Sequence, residues 1–153
     1  RNFAFVDYVI RLYPLLVESI LGPRWHSQPD SVSTSDRSLA WKIGRRAQFW
    51  GWRFPNYRAH ALRVRGRAAF AVGKTAKAVG FFQKSIEVAR TTNARYDEAR
   101  ACLDLATICD NASGAEQGRH GQAILTDLGA ALPLDQAVRA SPRSGESSSA
   151  EPK

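Results

Sequence analysis

The sequence predicts an all-α chain, built as antiparallel helix hairpins stacked side by side. Three observations lead there. Apolar residues recur at spacings of three and four along most of the chain, while strand-like alternation is scarce. Gly22-Pro23, Pro55 and Gly73 punctuate those periodic stretches where helices end. Most of the intervals between stretches are short, which makes successive helices antiparallel neighbours. The length of 153 residues suits one domain with a real core, or a few helical pairs.

The first helix is expected over 3–21, "FAFVDYVIRLYPLLVESIL". Asp7, Arg11 and Glu18 interrupt it, so it reads as amphipathic or buried, short of the roughly 20 apolar residues of a membrane span. It also lacks the basic lead and unbroken apolar core of a secretory signal. Residues 22–35, "GPRWHSQPDSVSTS", are polar and proline-broken and read as a loop. Asp36 or Ser35 then caps a second helix over about 36–54, with Leu39, Ile43, Ala47, Trp50 and Phe54 as its inward stripe. Pro55 ends it and suits the first turn of a third helix over about 56–72, closed by Gly73. A fourth helix follows over about 75–91, with Ala78, Val79, Phe82, Ile86 and Ala89 on one face. The fifth, about 94–110, turns Tyr96, Ala99, Cys102, Leu103, Ala106 and Cys109 inward. A weaker sixth, about 119–131, carries Ile124, Leu125 and Leu128. From Arg139 onward, "RASPRSGESSSAEPK" lacks large apolar residues and is expected to be disordered.

The net charge of +8 is local: residues 37–86 hold 12 Lys/Arg and no Asp or Glu, while the remainder is net acidic. Such asymmetry points to an oriented anionic partner or an acidic neighbouring domain. The only cysteines, Cys102 and Cys109, lie about 10 Å apart along one helix, too far to bridge. They read as reduced core thiols, which suits a cytoplasmic setting. With no methionine anywhere, the chain is expected to be a fragment or processed product of a longer protein.

Catalytic and cofactor signatures are weak. "AAFAVGKT" over 68–75 formally fits a phosphate-binding loop with Ala in the first glycine place. That chemistry needs a loop after a strand, and the residues before it, "HALRVRGRAAFAV", are helical. Gly73-Lys74 is better read as a helix–helix turn. His26, His60 and His120 have no ligand spacing, so no metal is expected, and no cofactor. Glu87, Asp97 and Glu98 read as solvated acids, with no acid/base pair among them. The segment is therefore expected not to be an enzyme, although a catalytic domain upstream in the parent chain is compatible with that.

One stretch carries a family likeness. In "LRVRGRAAFAVGKTAKAVGFFQKSIEVA" a large Leu62 is followed by Gly66, Ala69, the turn glycine Gly73, then Ala78, Phe82 and Ser85. Small residues at these places let two helix backbones approach, and Phe82 fills the gap. The pattern resembles the tetratricopeptide (TPR) repeat, with Arg65, Ala69 and Arg90 departing from the usual Leu, Tyr and Pro. About forty residues on, Cys102, Leu105, Ala106, Cys109 and then Ile124 to Leu128 look like a second, degraded copy, in and around the segments "ARYDEARACLDLATI" and "ILTDLGAALPL". Such spacing is similar to the C-terminal repeats of large bacterial signalling ATPases, cyclases and kinases. The resemblance implies a short solenoid: a helix pair over 1–55 with its loop at 22–35, a best repeat over 56–93, a degenerate one over 94–132, and a disordered tail over 133–153.

It also implies an inner groove lined by His60, Arg63, Arg67 and Phe70, with Arg100, Leu103 and Thr107 at matching places of the next copy. Two arginine forks one turn apart suit carboxylates, so the implied partner is an acidic peptide or protein segment, or another domain of the parent chain. The plain alternative is that Arg63 and Arg67 are solvated. On the second helix, Trp41, Arg45, Gln48 and Trp52 form another face, read either as an aromatic patch or as a surface buried between neighbouring helices. The resulting expectation is a non-catalytic module for protein–protein or interdomain contact in a cytoplasmic signalling regulator, without membrane attachment. The rival is nucleic-acid binding through the basic 37–86 region, weakened if packing consumes the tryptophans.

Overall fold

The computed structural model describes residues 3–23, 25–26 and 32–130, with side chains from residue 10 onward. Among these residues all regular structure is helical: α1 (Phe3–Leu21), α2 (Thr34–Arg53), α3 (Arg58–Ala71), α4 (Thr75–Thr91), α5 (Arg95–Ile108) and α6 (Ala112–Asp127), with a 3₁₀ turn at Pro55–Tyr57. The tail expected over 133–153 lies outside the described residues.

Each helix packs chiefly on the next in sequence. Beyond that, α3 also touches α1 on one side and α5 on the other, so the three odd-numbered helices meet. Backbone chemistry explains the tight hairpins. Gly73, with φ at +76°, and Asn93, with φ at 53°, take the left-handed conformation that closes α3 and α4. The two turns share one bond pattern: the N–H of Lys74 donates to the carbonyl of Ala69, and that of Ala94 to Ala89, at 2.9 and 2.8 Å. Gly73-Lys74 is thus the α3–α4 turn.

Close approach between helices is bought with small residues. A Cβ on Gly66 would stand 2.6 Å from the Phe82 ring, and one on Gly51 would stand 2.7 Å from the Cβ of Ala61. Ala69, Ala78, Ser85 and Phe82 are all fully buried, and the Ser85 hydroxyl donates to the Ala59 carbonyl at 2.7 Å.

Four expectations change. The inward face of α2 is Ala40, Gly44, Ala47 and Gly51, not the stripe beginning at Leu39, which is 46% exposed. Close packing against α3 selects the small residues; of the expected stripe Ala47 is buried and Ile43 still packs on the core, while Leu39 turns outward. The cap of α2 is Ser33, whose hydroxyl accepts from the Asp36 N–H at 3.1 Å, so neither Asp36 nor Ser35 serves. Tyr96 and Leu128 point out, with Tyr96 accepting from Arg100 at 3.0 Å. Finally, α6 begins at Ala112, capped by Asn111, well before the expected start. Its glycines discourage a helix by propensity, yet Gly118 and Gly121 are the positions that let it lie against Ala106 and Ala99 of α5.

Trp25, from the loop read as polar, is buried in the main core. Its ring packs edge-on to Phe70 at 5.5 Å and lies 6.0 Å from Phe82.

Candidate functional site

The α1, α3 and α5 helices converge on a buried cluster of charge. Arg63 and Arg67 lie one turn apart on α3, and both reach Asp104 of α5. Arg63 donates to it at 3.0 Å, and Arg67 grips both carboxylate oxygens at 2.7 Å each in a two-pronged bond. Asp104 has no exposure, and Arg63 and Arg67 have 2% and 5%. From α1, Glu18 closes the cluster: it accepts from Arg63, with Arg67 at 3.7 Å, Arg100 at 3.5 Å and the His60 ring at 3.8 Å.

Four of the seven residues expected in the groove, His60, Arg63, Arg67 and Arg100, are therefore brought together around one carboxylate, and that carboxylate belongs to this chain. Arg63 and Arg67 are neither solvated nor open forks. Two of the others sit at the margin, where Phe70 is covered by Trp25, whose ring also lies 5.2 Å from the Arg67 guanidinium, and the Thr107 hydroxyl donates to the Asp104 carbonyl at 2.7 Å. Leu103 is instead buried with Ile124 and Leu125 between α5 and α6.

Electrostatics follow from the geometry. Burial by itself pushes the Glu18 carboxyl up, but the His60 ring and the Arg63 and Arg67 charges outweigh it and hold the group well below the usual carboxylate range. Burial likewise opposes ionised Asp104, and Arg67 and Arg63 overcome it in the same direction. Burial also works against charged Arg63, which Asp104 and Glu18 more than offset. A carboxyl whose folded pKa is depressed adds stability above its unfolded pKa, which is lost as pH falls through the folded value. Stability is thus expected to hold steady with respect to these two groups above about pH 5 and to decline progressively below about pH 4. Urea titrations at stepped pH check this, and a Glu18→Gln chain should show a shallower acid limb.

The aromatic candidates separate. Trp41 is packed: the Arg65 guanidinium lies 3.3 Å from its ring centre and donates to its carbonyl at 2.7 Å, with the Lys74 ammonium 4.4 Å from the ring. Burial, then repulsion from Arg45, lowers the Arg65 pKa to about 10, which leaves it charged at neutral pH. Trp52 is 70% exposed, and Arg45 is exposed with it. The expectation that neighbours bury both faces of α2 holds only in part: Trp41 is covered by Arg65 and Lys74, while Trp52 and Arg45 stay exposed.

Glu98 is also not the solvated acid it was expected to be. It is buried between Arg90 at 2.8 Å and His120 at 3.0 Å. Cys102 is buried and its thiol is pushed up to about 11, chiefly by burial, so it is an inert core group. Among the described residues no three metal-ligating side chains converge, and no helix is long and apolar enough to cross a membrane.

Sequence reasoning missed Glu18, Asp104 and Trp25 as parts of the site. A signal existed for two of them: Asp104 sits between Leu103 and Leu105, and Glu18 interrupts an apolar helix. Twelve cations without an acid in 37–86 also demanded carboxylates from elsewhere in the chain. What these features define is an all-helical protein with an internal arginine–carboxylate clasp. Comparison of the chain with protein-family models, with curated proteins and with solved structures finds no match.

Proposed function

We propose that this chain is a non-catalytic helical-repeat module, its hairpins stacked as a short TPR-like solenoid, that mediates protein–protein or interdomain contact within a larger cytoplasmic signalling regulator. The observation that carries the reading is the order of packing. Each helix lies against the next, and the odd-numbered helices α1, α3 and α5 form a common layer that supplies every charged member of the cluster. A layer that concentrates three arginines on a carboxylate borne by another helix has the chemistry to hold an acidic helical segment. Glu18 and Trp25 fill that position in this structure, and Arg100, only partly covered, is the cation nearest the rim.

The test is peptide capture by fluorescence anisotropy, using a labelled acidic peptide with a free C-terminal carboxylate. Glu18→Gln removes the internal negative charge that competes for these arginines, so capture should tighten about tenfold over the parent chain, about 1.4 kcal/mol. Adding Arg100→Glu should abolish the gain. Equal affinity for all three chains would rule out this face as the binding site.

A further inference from the structure

Beyond the odd-helix layer, α2, α3 and α4 enclose a cleft of about 340 Å³, lined by Gln48, Trp52, Arg58, Leu62, Phe81 and Lys84. We infer that this cleft and the adjoining outer face of α2 bind single-stranded nucleic acid, with a base seated in the cleft beside Trp52 and phosphates on Arg58, Lys84 and the α2 cations.

The chemistry is local and complementary. Trp52 and Phe81 supply aromatic surface and Leu62 an apolar floor, the environment a base prefers to water. Gln48 offers both a donor and an acceptor to a base edge and makes no hydrogen bond of its own among the described residues. Lys84 is exposed and Arg58 half-buried, and neither has a carboxylate partner among the described residues. The outer face of α2 continues the track with exposed Lys42, Arg45, Arg46 and Arg53, interleaved with Phe49 and Trp52 at 63% and 70% exposure. From Lys42 to Arg53 is about 16 Å along the helix, enough for a few nucleotides. Because no acid occurs over 37–86, no negative side chain of that tract opposes the approach of a phosphate strand.

Other occupants fit less well. An acidic peptide would use the cations but has no need of an exposed tryptophan beside an aromatic-lined cleft. A bilayer would take up Phe49 and Trp52 but would leave a recess with a polar amide unfilled.

The experiment is anisotropy of a labelled 12-nucleotide single strand with the full chain. Three phosphate contacts predict about a 20-fold loss of affinity between roughly 50 and 200 mM salt. Trp52→Ala, an exposed position whose loss should leave the circular dichroism unchanged, should weaken binding about tenfold or more. Arg58→Glu with Lys84→Glu should do at least as much. Four outcomes would each overturn the proposal: no binding of the oligomer, affinity unmoved by Trp52→Ala, equal affinity for duplex or for a mononucleotide, and capture of phosphatidylserine vesicles in place of the oligomer.

Discussion

Replacing Asp104 with Asn is expected to lower folding stability by about 3–5 kcal/mol, the cost of breaking a buried ion pair from one side. The substitution keeps the shape of the side chain and removes its charge. Arg63 and Arg67 would then remain in a site with almost no exposure, sharing only Glu18 at its edge. Their transfer from water is tolerable in the parent chain because three bonds, at 2.7–3.0 Å, converge on Asp104. A surface pair makes the natural control. Arg95 and Asp127 are 2.7 Å apart but 46% and 63% exposed, so Asp127→Asn should change stability by only about 0–1 kcal/mol. Urea unfolding of the three chains, followed by circular dichroism, measures both effects. A small loss for Asp104→Asn would mean that water reaches the cluster and that it is not the clasp joining α1, α3 and α5.

Truncating Phe82 to Ala should cost about 3–5 kcal/mol as well, for a different reason. The ring is fully buried, beside Trp25 and over the bare backbone of Gly66. Its removal leaves a cavity that α3 and α4 cannot close without sliding. The reverse change, Gly66→Ala, places a methyl 2.6–2.9 Å from three ring atoms and should cost about 1–3 kcal/mol through overpacking. In the double variant the methyl enters the space the ring has vacated, so the combined loss should fall short of the sum. Strict additivity in that cycle would contradict the seating of Phe82 on Gly66.

The same two sites show where the sequence was legible. Phe82, Gly66, Ala69, Ala78 and Ser85 belong to adjacent helices joined by a short turn, so their partners are close in the chain. Spacing alone sufficed to pair large with small. Asp104 and Glu18 meet Arg63 and Arg67 across separations of 37 to 45 residues, and nothing local marks which acid arrives. The arginines could be placed on a face of α3 but not assigned a degree of burial, since that face is covered only when α1 and α5 pack on it. Trp25 was missed for a related reason: its neighbours in sequence are polar, and only the return of the chain over α3 makes its site apolar.

The α2 helix gives the clearest instance of two patterns competing. Leu39, Ile43, Ala47, Trp50 and Phe54 form a valid apolar stripe, and so do the small residues Ala40, Gly44, Ala47 and Gly51. Hydrophobicity favours the first, whereas the closeness of α3 selects the second. Neither stripe includes Trp52 or Phe49, which stay at the surface on the basic, aromatic face assigned above to nucleic acid.

By itself, then, the sequence determined the helical class, the helix that runs from Thr75 to Thr91, and the turn at Gly73, because periodicity and left-handed turn residues act within a few positions. Only the tertiary structure decided which charges are buried, which face of α2 is covered, and that Glu18 and Asp104 are the acids that meet Arg63 and Arg67. Burial and ion pairing depend on surfaces brought together from distant parts of the chain, and their energy exists only once the helices have packed.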